Sequence, residues 1–204
     1  MQLSRLHMKG ISGYWQATSP SYVLPLVLLI SGLFFCASAR AQSDGLTEDQ
    51  IMAGFLFNFT RFVEWPPDAF PIASAPIVIA VVGANPFGDT LSATAAGKTV
   101  GGRAVVVKQF KEGQDLRACT ILFISSSEKR QSAHILESLK GSSVLTVSDI
   151  VGFARSGGMI AFLVEENKVR LEINLDAASE ARLKVSAKLI GVARLVQREA
   201  AGKN

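Results

Sequence analysis

Histidine and cysteine occur only twice each among the 204 residues. One of each, His7 and Cys36, falls in an N-terminal stretch with the marks of a leader, which leaves His134 and Cys119. Zinc sites need several such ligands, so neither a metal nor any other cofactor is expected. A lone cysteine also forbids an internal disulfide. Any serine or cysteine nucleophile would have to take His134 as its base, and Cys119 lies toward the far end of the strand preceding that residue. Charge of one sign is scarce as well. The formal net charge is +4, but Arg5, Lys9 and Arg40 lie in the leader, and without them 18 basic residues face 17 acidic ones. A near-neutral domain gives no electrostatic reason to expect nucleic acid. Hydrophobic residues make up 49% and charged residues 19% of the chain, and the mean hydropathy is +0.30. That balance excludes disorder over most of the length, and the length suits one domain.

Long hydrophobic runs are missing too. The longest, Leu24 to Phe35, has 12 residues, which as a helix would span ~18 Å of a ~30 Å hydrocarbon core. Basic residues precede it and Ala39-Arg40-Ala41 follows it, with small residues where a signal peptidase cuts. Residues 1–41 therefore read as a signal peptide directing export across a bacterial inner membrane, with Met8 as an alternative start. A lipoprotein reading of Cys36 is disfavoured by the bulky Leu33-Phe34-Phe35 ahead of it. Residues 42–50 read as a flexible N-terminal segment, 51–198 as the domain and 199–204 as a tail.

Within the domain, Thr47 is placed to cap a helix with Glu48, Asp49 and Gln50 in its first turn. Ile51, Phe55, Phe59 and Phe62 recur at helical spacing until Pro66-Pro67 ends the helix. The continuous run Ile77–Val82 reads as a fully buried strand. A helix over Phe87–Ala96 and strands at Arg103–Val107 and Cys119–Ser125 follow, then a helix over Glu128–Leu139 and a strand over Ser143–Ser148. Met159–Val164 and Val169–Leu175 read as a hairpin around Glu166-Asn167. A final helix is expected over Ala177–Arg198, capped by Asp176, with Leu183, Val185, Leu189 and Val196 on one side and Lys184, Lys188, Arg194 and Arg198 on a solvated other. The sum is an α/β domain, three-layer-like, with a mostly parallel sheet, a C-terminal hairpin and flanking helices.

Several patterns look chemical. Gly97-Lys98-Thr99 evokes a phosphate loop, but Ser92 stands where the first glycine is needed and a strand, not a helix, follows. Ser125-Ser126-Ser127-Glu128 joins a strand to a helix without the glycines of a nucleophile elbow, and Ser125 with Glu128 has capping-box spacing. Cys119 sits in an apolar run and reads as a buried, inert thiol. No catalytic residues are assigned; an enzyme built on Ser126, Asp149 or Glu172 is the least favoured reading. Two surfaces remain as candidates for binding a partner. Phe59, Arg61, Glu64 and Trp65 gather an aromatic pair, a cation and an acid where a helix emerges, and Trp and Arg are enriched at interface hot spots. On the hairpin, Arg170, Glu172 and Asn174 share a face that reads as a solvated edge, with Arg170 a weaker binding candidate.

Taken in order, Phe55-Leu-Phe-Asn-Phe-Thr-Arg-Phe-Val-Glu-Trp-Pro66, Pro86-Phe-Gly-Asp89, Gly97-Lys-Thr-Val-Gly-Gly-Arg103 and Cys119-Thr-Ile-Leu-Phe-Ile-Ser125 form one series. Val144-Leu-Thr-Val-Ser-Asp149, Gly157-Gly-Met-Ile160, Val169-Arg-Leu-Glu-Ile-Asn-Leu175 and Leu183-Lys-Val-Ser-Ala-Lys-Leu189 continue it. The series resembles the YfiR family of bacterial periplasmic proteins over essentially the whole exported chain. The resemblance implies a periplasmic, non-enzymatic regulatory protein that represses or modulates an inner-membrane signalling enzyme through its periplasmic sensing domain. The implied partner is an inner-membrane sensor, a diguanylate cyclase or a histidine kinase, whose release raises cyclic di-GMP and promotes biofilm. An outer-membrane lipoprotein is a further implied partner, and a homodimer is left open. Family members with redox control use cysteines beyond the one matching Cys119, and this chain lacks them. The alternative is an envelope small-ligand-binding protein serving a sensor kinase or a transport system, with its pocket at the carboxyl ends of the strands.

Overall fold

Thr47 opens the first helix as expected: its hydroxyl accepts from the Gln50 amide at 3.3 Å, and the Gln50 side chain accepts from the Thr47 amide at 2.9 Å. The computed structural model describes residues 46–111 and 113–199. The expected signal peptide, residues 42–45 and the tail beyond Glu199 lie outside the described residues. Helix α1 spans Glu48–Phe62, so residues 48–50 belong to the folded body rather than to a flexible segment. It is followed by β1 (Val63–Glu64), β2 (Ile77–Val82), α2 (Thr90–Ala95), β3 (Thr99–Val100) and β4 (Arg103–Phe110). Then come β5 (Ile121–Ile124), α3 (Ser132–Ser138), β6 (Leu145–Ser148), β7 (Ile160–Glu165) and β8 (Lys168–Ile173). The chain closes with α4 (Leu175–Glu180), β9 (Lys184–Val185), α5 (Ala187–Ile190) and β10 (Arg194–Leu195).

Eight strands form one sheet in the order β10-β8-β7-β6-β5-β2-β4-β3. Only the β7–β8 and β3–β4 pairs are antiparallel. The five central parallel strands follow the 2-1-3-4-5 order of a doubly wound sheet. Both faces of β2 and β5 are covered, which is why those strands are continuous apolar runs. On one face Ile77, Ile79 and Val81 of β2 meet α1 and α2 residues such as Leu56, Phe59 and Leu91. On the other, Val78 and Ala80 meet Ile135 and Leu139 around α3. An aromatic cluster ties α1 to the sheet, with Phe59 and Phe162 ring centroids 6.0 Å apart and Phe123 6.4 Å from Phe162. Burying each such side chain contributes ~1.5–3 kcal/mol.

The hairpin turns at Glu166 and Asn167, both with positive φ (52° and 57°), the geometry that matches strand twist in a two-residue loop. The long C-terminal helix does not form. Arg182 takes φ +60°, outside the right-handed region, and the chain beyond it divides into β9, α5 and β10. Helix α4 is capped by Asn174, not Asp176: its Oδ1 accepts from the Ala177 amide at 3.0 Å and its Nδ2 donates to the Ala154 carbonyl at 2.8 Å. Tertiary pairing accounts for the break. β9 pairs antiparallel with β1, Val63 opposite Val185 and Glu64 opposite Lys184, and β10 pairs with β8. The expected Glu128–Leu139 helix also begins later, at Ser132, after a 3-10 turn over Ser126–Glu128.

Candidate functional site

The end of α1 is fixed on both sides. Val63 is buried in the core, β9 pairs with β1, and the Ser186 amide donates to the Phe62 carbonyl at 2.8 Å. Pro66 leads into the 3-10 turn Pro67–Ala69. Asp68 of that turn is held by Arg182 at 2.8 Å, and Arg182 also reaches the Ser143 hydroxyl at 3.4 Å. Arg61 and Glu64 are thus presented from a rigid base. Both are exposed, and neither forms an ion pair within 4 Å among the described residues. Trp65 is half-buried against the core. Its Nε1 is buried with no hydrogen-bond partner among the described residues, so what it shows to solvent excludes its side-chain donor. Its offer to a partner is apolar area.

The five sequence candidates do not share one surface. Phe59 is 0% exposed and belongs to the core beneath the patch, because α1 is apolar around most of its circumference. Arg170 is exposed on β8 opposite Leu163. Its neighbours Leu171 and Ile173 face the α1 side of the sheet, so alternation puts Arg170 on the other face. Arg61, Glu64 and Trp65 lie within five consecutive residues at the end of α1, and Lys184 stands opposite Glu64 in the β1–β9 pair.

The hairpin face expected to be a solvated edge is instead largely covered. Glu172 is 4% exposed and Asn174 0%, because the second core and β10 close over them. Arg155 meets Glu172 at 3.1 Å. Arg194 reaches both Glu165 oxygens at 3.3 Å and Glu172 at 3.6 Å. The hydrogen bonds that Arg194 donates to Glu165, then the Glu165 charge, hold the guanidinium still more firmly protonated than usual. Only a buried acid with two cationic partners could be tolerated here, and alternation alone could not distinguish it from a wet residue.

The other chemical candidates are accounted for by structure. Gly97-Lys98 precedes β3, which turns back at Gly101-Gly102 into β4. Ser125 accepts from the Ser127 amide at 3.4 Å, capping the 3-10 turn. Ser126 donates to Asp149 at 3.0 Å, without a histidine between them. Cys119 is buried and its Sγ donates to the Leu116 carbonyl at 3.2 Å. Burial, then the nearby Asp115 charge, pushes its pKa up to about 12, the mark of an unreactive thiol.

A groove of about 760 Å³ opens at the carboxyl ends of β2 and β4, between α3 and the chain leading to β5. Phe110 and Ile135 line it, with Lys111, Asp115, Arg117, Glu128 and His134 as charged or titratable groups. Among the described residues no group of three or more His, Cys, Asp or Glu could hold a metal ion. No helix among them is long and apolar enough to cross a membrane.

No curated protein matches the chain significantly. A family model described as YfiR/HmsC-like matches residues 49–194, from the first turn of α1 to the start of β10. The chain belongs to the YfiR/HmsC-like family, which in general is periplasmic and regulatory and acts in cyclic di-GMP signalling.

Proposed function

We propose that this protein is a periplasmic, non-enzymatic regulator that binds the periplasmic sensing domain of an inner-membrane signalling enzyme of the diguanylate cyclase type. Membership of the family carries the reading. The rigid patch of Arg61, Glu64, Trp65 and Lys184 is the surface best suited to it, since it combines unpaired charges with apolar area on a fixed base. Repression needs only that one sensor conformation be bound better than the other. Moving an equilibrium from mostly active to mostly inactive takes ~5.5 kcal/mol of differential binding, within reach of one aromatic-centred interface. The test is crosslinking in cells with the tagged chain, followed by identification of the captured membrane protein. Capture of a cyclase or kinase, lost on Trp65→Ala, supports the reading; the absence of any membrane protein counts against it.

The groove at the β2 and β4 ends favours a second reading, an envelope small-ligand-binding protein serving a sensor kinase or a transport system. Its volume suits a metabolite. A metabolite screen by thermal shift tests it, because a ligand bound only by the folded state raises the melting temperature.

A further inference from the structure

β10 contains two residues and runs parallel along the outer side of β8, with Arg194 opposite Glu172 and Leu195 opposite Ile173. It is the last strand on this side of the sheet, and without it β8 would be the edge. Its main-chain ties are few. Beyond the two-residue ladder with β8, the Val196 amide donates to the Ile173 carbonyl and the Glu199 amide to the Arg155 carbonyl, each at 2.9 Å. Leu195 is 51% exposed, whereas Val196 sinks into the second core at 9%. A recess of about 640 Å³ is lined by Leu195–Glu199 of this strap together with Arg155, Leu175 and Asp176.

Charge is what marks the place. Glu165 and Glu172 present two carboxylates to the single guanidinium of Arg194. Arg155 meets Glu172 alone, so Arg194 is the cation that serves Glu165 and completes the balance of two acids and two guanidiniums. With the strap away Glu172 keeps Arg155, but Glu165 has no other cation within 4 Å among the described residues, so a strand that brings one along β8 is favoured there. Main-chain pairing supplies affinity at a sheet edge, and side-chain slots supply selectivity.

We propose that the outer edge of β8 is a strand-exchange site, in which Arg194–Val196 is an internal stand-in and an extended arginine-x-apolar segment of a protein partner pairs in its place. The arginine enters the Glu165–Glu172 slot and the apolar residue two positions on fills the pocket of Val196. This rests on the binding-protein reading above and adds to it the site and the chemistry of the partner segment. A short strap with few backbone bonds and an exposed ion pair is suited to leaving, since such elements open at low cost.

The probe is a labelled synthetic peptide of the strap's own sequence, residues 192–199, titrated against the full chain by fluorescence anisotropy. Arg194→Ala loosens the internal competitor and is expected to bind the peptide about tenfold more tightly than the unmodified chain, because more of the population has an open edge. The same peptide carrying Arg194→Ala is expected to show no such gain, and adding Glu165→Gln to the protein variant is expected to abolish it. Glu165 is exposed, so this variant spares the fold, whereas Glu172→Gln alters a buried ion pair. Hydrogen exchange supplies a second readout: in Arg194→Ala the Val196 and Glu199 amides exchange faster while those of β6 stay protected. The proposal is overturned if Arg194→Ala gains no peptide affinity, or if the Val196 amide exchanges only as slowly as β6. It is also overturned if the variant self-associates instead, which would make a second copy the occupant. Capture of a membrane partner unaltered by both protein variants would remove the strand site and leave the binding-protein reading standing.

Discussion

The Ser127 hydroxyl accepts a hydrogen bond from the Ala84 amide at 2.9 Å, joining the loops that follow β2 and β5, two neighbouring parallel strands. Gly83 makes this approach feasible. It takes φ +86°, and a Cβ there would press on the Ser127 hydroxyl and the Glu128 side chain. Gly83→Ala is expected to cost about 1–3 kcal/mol through backbone strain and the broken contact. Ser127→Ala alone should cost about 1 kcal/mol, and the double variant less than the sum, because both remove one interaction. Urea unfolding of the three variants checks this.

Asn174 serves two elements at once, capping α4 and holding the Ala154 carbonyl. Asn174→Ala loses the cap and leaves a buried carbonyl without its donor. About 2–4 kcal/mol of stability should go with it, visible as a lowered melting midpoint. A loss well under 1 kcal/mol would mean that the turn before β7 relaxes to solvent.

Cys119 makes a pH-dependent prediction. Its folded pKa of about 12 stands above the ordinary value of 9.0, so the folded state favours the protonated thiol. Its contribution to stability is therefore complete below pH 9 and declines as the pH rises from 9 toward 12, where the unfolded chain alone releases the proton. At pH 8 the buried thiol stays protonated in the folded protein. Alkylation by iodoacetamide should be negligible until denaturant is added, and Cys119→Ala should flatten the alkaline limb of the stability curve.

At the α1 end, Trp65→Ala should weaken partner capture by about 30-fold or more, the effect of losing an interface anchor worth ~2 kcal/mol. Arg61→Ala and Glu64→Ala should change stability by less than about 0.5 kcal/mol, because both side chains are exposed and unpaired, so any change in crosslinking yield reports binding. An equal loss of thermal stability and of capture in all three would assign the patch to folding alone.

β2 and β5 were readable because burial on both faces makes each a continuous apolar run, as in Ile77–Val82, and Pro66-Pro67 marked the end of α1. The C-terminal region was not, because its apolar residues keep a helical period while reaching the core from three different elements. Leu183 leads into β9, Leu189 lies in α5 and Val196 follows β10; what divides them is pairing with β1 and β8, about 120 and 20 residues back in the chain. Phe59 was misplaced for a related reason: an aromatic near a helix end looks the same on a surface as in a core. Glu172 was misread because polarity at an alternating position marks either water or an ion pair, and only the covering strand distinguishes them.

β3 pairs with Ala104 and Arg103 alone, so no strand among the described residues runs along the outer side of β4 from Val106 to Phe110. Those five residues are mostly β-branched or aromatic, a ready template for like chains to stack upon. The exposed ammonium of Lys108 stands in the middle of that stretch, and an added copy would have to press a second one against it. Lys108 thus guards this border against self-templated stacking, and Lys108→Val is expected to make the protein aggregate more readily.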